Sequence, residues 1–506
     1  MSTTATAVRV SRASPFGATC LVVPEGATIY ANAEVEPHLA VDRADPNHLV
    51  AAWQQDRLSD GGARGLATSV SIDGGTTWSA PQPAPFSTCA GGEFERVSDP
   101  WVAVAGNTAI QIGIAFTGGA NAVGARSAVV VSRSLDGGIS WGPTVLLVDD
   151  DGTRLFNDKE ALAIDSTDAR HVYAVWDRIG LDERGPTLLA RSTNGGATWE
   201  AARTIYDPGS GRQTIGNVPV TTPDGAVHVF FVELGPAPGN PSATEGLVSV
   251  IRSSDKGSSW SGPTRIAELL AVGTRTPEQD LVVRTGEILG TFAAGSDDGA
   301  LYAVWHDARF TDGDHDAIAL ARSTDGGFTW SAPGRVNARP DVPAFTPTLA
   351  VLPGGAIGVT YYDFRQPGTG TYRPTDLWLA TSRNGVDWSE TRLAGDFDLL
   401  DAPNAGGLFV GDYQGLDSTD ASTFIALYAR TNNGETSNRT DVYADRVPLG
   451  ALPAAPATTD ATASKPVATK GPAMRQRVAE HLSAVRQRRL AEWRSWREAG
   501  PDSMPD

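Results

Sequence analysis

Ser71-Ile72-Asp73-Gly74-Gly75-Thr76-Thr77-Trp78 is the stretch on which the reading of this chain turns. It follows a strand-like run, Leu66 to Val70, and its Asp-Gly pair supplies the positive φ angles that a tight turn between antiparallel strands requires. The Asp side chain can accept hydrogen bonds from amides of its own turn, and Trp78 returns to pack as the next strand begins. Near copies stand at 134–141, 192–199, 253–260 and 323–330, and a worn one, Ser382-Arg383-Asn384-Gly385-Val386-Asp387-Trp388, is one residue shorter. Each is a hairpin corner. Corners recurring about every sixty residues, with no helical period between them, indicate an array of small antiparallel sheets.

Around the corners each unit reads as an inner strand, a second strand, a third strand, the corner and a fourth strand. Inner strands begin near Glu36, Asp99, Lys159 and Thr346, with less regular versions at 215–220, 287–294 and 412–416. Second strands end near Trp53, Phe116, Trp176, Phe231, Trp305, Tyr361 and Tyr428. This gives an all-β fold, a propeller of four-stranded antiparallel blades over residues 31–447, with seven blades favoured and six plus an extra sheet as the alternative. The seventh unit stops after three strands, and the N-terminal segment, residues 1–30, is expected to supply its fourth and so remove the exposed edges.

The motif Ser-x-Asp-Gly-Gly-x-Thr-Trp resembles the Asp box of the sialidase (neuraminidase) superfamily, also called the BNR repeat, over roughly residues 30 to 447. The resemblance implies a β-propeller. For chemistry it implies an arginine cluster on a sugar carboxylate, a tyrosine nucleophile activated by a carboxylate, and an aspartic acid as proton donor.

Strand order places the corners on the same rim as the turns between first and second strands. Inner-strand starts and second-strand ends meet at the opposite rim. A charged signature repeats there: Trp53-Gln54-Gln55-Asp56-Arg57, Trp176-Asp177-Arg178, Trp305-His306-Asp307-Ala308-Arg309 and Tyr361-Tyr362-Asp363-Phe364-Arg365. Read functionally, this is a mouth for an acidic sugar, in which guanidinium forks grip a carboxylate. By the resemblance, Arg57, Arg178, Arg309 and Arg365 are the carboxylate binders, Tyr413 or Tyr362 the nucleophile, Glu36 or Glu287 its partner and Asp99 the acid. Read structurally, an Asp beside an Arg in blade after blade is a repeated salt bridge. No Phe/Tyr-Arg-Ile-Pro segment, the usual carrier of the first sialidase arginine, lies near the N-terminus.

A net charge of -18 argues against the main body binding nucleic acid, which needs a basic face. Cys20 and Cys89, the two cysteines, read equally well as one disulfide or two free thiols. Met1 to Ser14 has no apolar core of a signal peptide, and no stretch approaches a membrane span, which leaves open a cytoplasmic chain, one exported without a cleaved signal, or a sequence that begins after such a signal. Asp312-Gly313-Asp314-His315-Asp316 alternates oxygen ligands as a structural Ca²⁺ loop would, but lacks the later Glu, so a solvated loop is the better reading and no cofactor is expected.

Residues 448–472 are rich in Pro, Ala and Thr, as in an extended linker. Residues 473–499 read as a basic amphipathic helix with a stripe of Met474, Val478, Leu482, Val485, Trp493 and Trp496. The helix can dock on its own propeller, on another protein, or on a membrane surface or nucleic acid. Two functions follow: a sialidase-like glycoside hydrolase acting on a terminal sugar, or a non-catalytic propeller that binds a glycan or protein and is tethered to an assembly by this helix.

Overall fold

In the computed structural model the chain is described over residues 7–21, 23, 26–118, 124–368, 374–450 and 471–498, with side chains as far as Arg489. Seven antiparallel four-stranded blades make up the β-propeller among these residues, the first two joined through the pair Ala63–Val97 into one eight-stranded sheet. Their inner strands are Glu34–Val41, Arg96–Ala105, Leu155–Ile164, Gln213–Thr221, Gly290–Ala294, Ala344–Val351 and Gly415–Asp420. In the seventh blade the outermost position is taken by Val8–Arg9, with Val8 opposite Ala444. The ring is thereby closed by two residues that come from the far end of the sequence, and an edge that could pair with another chain is covered.

The core lies between the blades rather than inside any one of them. Second strands such as Leu49–Arg57, Leu301–Asp307 and Ile357–Asp363 are buried along their whole length, because both of their faces meet a neighbouring sheet. Trp53 packs with Ile425 and Leu427 of the seventh blade, Trp176 with Ile110 and Ile112, and Trp305 with Phe230 and Val232. These three indoles have no exposed surface.

The Ser-x-Asp-Gly-Gly-x-Thr-Trp corners join third and fourth strands, and each is held by its own side chains. The Ser71 hydroxyl accepts the Gly75 amide at 2.8 Å, and Asp73 accepts the Thr77 amide at 2.9 Å and the Thr77 hydroxyl at 2.6 Å. Gly74 and Gly75 have φ of 70° and 88°. A Cβ on Gly75 would come within 2.8 Å of Ile425 Cδ1, so glycine is required there by space as well as by dihedral. The Gly74 amide donates to Asn47 O, and His48 Nε2 lies 2.8 Å from Gly137 O, which puts the corners on the rim of the first-to-second-strand turns.

At the other rim the inner strands share a second device. The ladder slips by a bulge between Val35 and His38, Ser98 and Trp101, Asp158 and Ala161, Ile215 and Val218, and Phe345 and Thr348. Within each bulge one residue is left-handed: Glu36, Asp99, Lys159, Gly216 and Thr346, with φ between 48° and 64°. A bulge re-aims a side chain and ends pairing. Non-glycine residues held at positive φ carry strain and cluster at functional sites.

Three additions complete the molecule. A small sheet of Thr274–Arg275, Val282–Arg284 and Leu408–Phe409 rises on this bulged rim. Cys20 and Cys89 form a disulfide that ties the N-terminal segment to the loop after the first corner, which settles the two-way reading of these cysteines. Helix α1, Pro472–Glu498, buries Met474, Val478, Leu482 and Val485 against Leu234, Leu269 and neighbours in the fourth and fifth blades. The apolar stripe of the helix therefore meets its own propeller. The Trp493 and Trp496 side chains, and most of the 448–472 linker, lie outside the described residues. No described helix is long and apolar enough to cross a membrane.

Candidate functional site

The bulged rim encloses an axial cavity of about 570 Å³, lined by inner-strand starts, the small sheet and helix α1. A smaller chamber of about 40 Å³ adjoins it and shares Asp99, Lys159, Gly286, Leu289 and Asp412 with it. Trp101, Glu160, Asn217, His306 and Tyr413 line the chamber.

Lys159 is the hub. Its ammonium lies 2.8 Å from Asp412, 2.9 Å from Asp99 and 3.5 Å from Glu36. Three of these four residues, Glu36, Asp99 and Lys159, are the left-handed residues of the first three bulges, and Asp412 is the ion-pair partner of Lys159, so the strained backbone settings bring these charges together. Arg284, from the small sheet, grips both oxygens of Asp412 at 3.1 and 2.8 Å. Burial would raise the Asp412 carboxyl, but Arg284 and Lys159 outweigh it and hold the group well below the usual carboxylate range. Asp99 is likewise lowered, Lys159 and a 2.6 Å hydrogen bond from Ser98 overcoming burial.

Two neighbouring carboxyls go the other way. Glu36 is fully buried, accepts a hydrogen bond from Gln54, and is pushed up to about 8 by burial despite Lys159. Glu160 is also buried and raised well above its ordinary value by desolvation, with Asp99 adding to the effect. Neither Glu160 carboxyl oxygen meets a hydrogen-bond partner on another described residue. One small site thus holds carboxyls pushed up and carboxyls pushed down side by side, the kind of separation that acid and base roles require.

The sequence-derived candidates divide. Arg57, Asp99 and Glu287 line the cavity, Tyr413 lines the chamber, and Glu36 sits behind the hub with no exposed surface. The Arg57 guanidinium donates to Gln54 Oε1 at 2.7 Å and lies 5.0 Å from the Phe409 ring centroid. Burial, with Arg284 adding to it, lowers its pKa to about 10. The Tyr413 hydroxyl donates to Pro100 O at 3.2 Å, and its pKa is raised by burial and by the carboxylates around it. Glu287 meets His481 of helix α1 at 3.2 Å, and this contact overcomes burial to bring its carboxyl down to about 2.

The other four lie away from the cavity. Tyr362 is buried among Phe345, Phe364 and Phe397, its hydroxyl donating to Ala429 O. Arg178 pairs with Asp150 at 3.1 Å. Arg309 pairs with Asp307 at 2.6 Å beside Trp305, and Arg365 is held between Asp363 at 2.6 Å and Glu390 at 2.8 Å. The repeated Asp-Arg signature forms salt bridges within its own blade in the fifth and sixth units. Asp316, of the candidate Ca²⁺ loop, is buried and accepts the Val272 and Gly273 amides. Among the described residues no three His, Cys, Asp or Glu side chains gather in a metal-holding set.

Site residues outside the repeat are Arg284 and, from helix α1, His481, Arg488 and Arg489. Arg284 sits in a three-residue strand that has no counterpart in other blades, so no alignment of repeats could reveal it. The helix residues carried a signal in their spacing. Positions 481, 484, 485, 488 and 489 form one helical face, and all five line the cavity.

No family model matches this chain, and no curated protein matches it in sequence. Solved structures similar to it include a protein of unknown function from Dyadobacter fermentans DSM 18053, with 15% identity and a TM-score of 0.44 over 84% of this chain and 100% of that one. A Hadza microbial sialidase is 14% identical, with a TM-score of 0.44 over 79% of this chain and 77% of that one. The alpha-L-arabinanase of Penicillium chrysogenum, complexed with arabinobiose, is 12% identical, with a TM-score of 0.47 over 87% of this chain and 98% of that one. The fold of this chain rests on its own strand ladders.

Proposed function

We propose that the protein is a glycoside hydrolase whose axial cavity takes a terminal, acidic sugar. The observation that carries this reading is the opposed setting of three carboxyls that line one chamber beside Lys159: burial pushes Glu160 up, whereas Lys159 holds Asp99, and Arg284 with Lys159 holds Asp412, below the usual carboxylate range. Glycoside hydrolysis needs one carboxyl that gives a proton and one that stabilises or captures the cationic sugar carbon. Glu160 gives its proton to the leaving glycosidic oxygen as the bond from the anomeric carbon breaks, directly or through a water in the chamber. Asp99 faces the anomeric carbon and forms an ester with it. Water then cleaves that ester, returning a proton to Glu160 and freeing the Asp99 carboxylate. These pKa directions favour Glu160 over Asp99 as the donor. Arg57 supplies a buried cation for a sugar carboxylate.

A second reading, a propeller that binds an acidic glycan without cleaving it, is favoured by one contact. The Tyr413 hydroxyl is engaged by a backbone carbonyl rather than by a carboxylate that would activate it. Screening fluorogenic glycosides, sialosides included, against the wild type, Glu160→Gln and Asp99→Asn separates the two. The hydrolase reading expects turnover that falls about 100-fold or more in each variant, the size of a general acid's contribution. Binding of the same sugars without turnover leaves the binder.

A further inference from the structure

Helix α1 lies across the bulged rim, and its contacts pass from blade to blade along its length. At its start Met474 lies so close to Gly313 that a Cβ there would come within 2.9 Å of its Cγ, and the Arg477 guanidinium donates to Asp312 O at 2.7 Å. Both contacts fall in the loop after the second strand of the fifth blade. In the middle Leu482 is buried against the fourth and fifth blades, and the Ser483 hydroxyl accepts the Thr244 amide at 3.1 Å. Toward the far end Arg486 meets Glu183 at 3.0 Å, and Arg489 reaches Asp158 at 2.6 Å and Asp177 at 3.3 Å, all three acids belonging to the third blade. From Met474 to Arg489 the helix rises about 22 Å. It thus bridges three blades, and it walls the cavity with Ala484, Val485 and Arg489.

The two ends are held by different means. The near half is fastened by apolar contact, Met474, Val478 and Leu482 being buried among blade side chains. Beyond Val485 the fastening is by charge. This latch is imperfect: Asp177 Oδ1 and Arg489 Nη1 are buried there without a hydrogen-bond partner among the described residues, and burial keeps the Asp177 carboxyl raised despite Arg489. Water would satisfy both atoms once the far end lifts, so undocking recovers part of what it gives up. The propeller loses no strand when the helix moves, since each blade has its four strands without it and Val8–Arg9 already closes the ring.

We propose that helix α1 is a strap that gates the axial cavity, hinged at the fifth blade and latched to the third by Arg486 and Arg489. Latched, it narrows the mouth to slender ligands. Lifted, it opens the third-blade side to bulky ones. Such a gate is independent of hydrolysis and of what the cavity binds.

The test labels single engineered thiols in the full chain, where Cys20 and Cys89 are joined to each other. Leu482→Cys puts a thiol beneath the helix and Ala303→Cys one in the blade core, both at positions with no exposed surface, and Leu289→Cys puts one on the cavity wall. Leu482→Cys is expected to react with methyl methanethiosulfonate about tenfold or more faster than Ala303→Cys, because the strap lifts without the blades unfolding. Adding Arg489→Ala should speed Leu482→Cys by about a further tenfold, the factor that one charge-assisted hydrogen bond carries, and leave Ala303→Cys alone. At Leu289→Cys the same reagent on a long polyethylene glycol chain should lag behind the small one, with both rates scaled to those at the exposed Ile72→Cys, and Arg489→Ala should close the gap. Arg486→Ala, at a pair that is partly exposed, gives a second reading should Arg489→Ala fail to fold. Equal labelling of Leu482→Cys and Ala303→Cys overturns the proposal, as does a Leu482→Cys rate that unlatching leaves unchanged, or a bulky reagent that enters the latched protein freely. A bulky reagent that enters faster while Leu482→Cys stays protected means a trimmed wall and not a lifted strap, and overturns it too. Faster labelling of Leu482→Cys with no change at Leu289→Cys means a helix that moves without gating, which also overturns it.

Discussion

The Lys159 ammonium lies 2.8 Å from a carboxyl oxygen of Asp412, a contact between residues 253 positions apart that joins the third blade to the approach of the seventh. Asp99 and Glu36 close on the same nitrogen. Lys159→Ala leaves three buried acids without their shared counter-charge. Removing one partner of a buried pair costs about 3–5 kcal/mol, and denaturant unfolding should show a loss of this size. The double variant Lys159→Met, Asp412→Asn should recover part of it; no recovery would mean that the loss comes from packing.

Glu36 makes stability depend on pH. Its carboxyl is fully buried and pushed up to about 8, above the value it has in the unfolded chain. The folded state therefore holds this proton more tightly, a contribution that is full in acid and is lost as pH rises through about 8. Glu36→Gln should flatten the decline in melting temperature between about pH 5 and pH 8, where each unit of pKa difference is worth about 1.4 kcal/mol. Parallel melting curves for the two proteins across that range would sink the idea.

The disulfide is the third point of test. Cys20 and Cys89 are separated by 69 residues, and opening a loop of that size restores much freedom to the unfolded chain. Replacing both by serine should lower stability by about 2–5 kcal/mol, read as a matching fall in melting temperature that a reducing agent reproduces in the wild type.

Helix docking can be followed without any substrate. Leu482 has no exposed surface, and Asp177 keeps Arg489 company in a buried setting. Leu482→Ala should cost about 2–5 kcal/mol of the helix's attachment. Amide exchange in residues 474–489 should then rise far above that of the blades, whereas equal protection would show that polar contacts alone hold the helix.

The periodic part of the fold was legible because each corner repeats its own chemistry. Ser71 with Asp73 and Ser323 with Asp325 make the same local bonds, and local bonds are what a sequence states directly. From them followed the rims and the placing of Arg57, Asp99 and Glu287 on one side, whereas the seventh blade, which has no corner, was read from its strand runs. The partition among arginines did not follow. Arg57 ends its second strand and Arg309 stands two residues past the end of another, yet Arg309 folds back onto Asp307, whereas Arg57 is followed in space by Phe409 and Arg284. That difference is made by segments outside the repeat, which no periodicity describes. The helix was legible as an amphipathic segment, but the stripe alone did not say which surface it meets.

The left-handed bulge has a consequence for how such a protein can change. Glu36, Asp99, Lys159, Gly216 and Thr346 occupy one backbone setting in five blades, and an acid, a base, a hydroxyl and a bare glycine all fit it. Single codon changes can thus exchange the groups presented at the axis while every strand keeps its ladder, so a lineage could move from one ligand to another without passing through an unfolded ancestor.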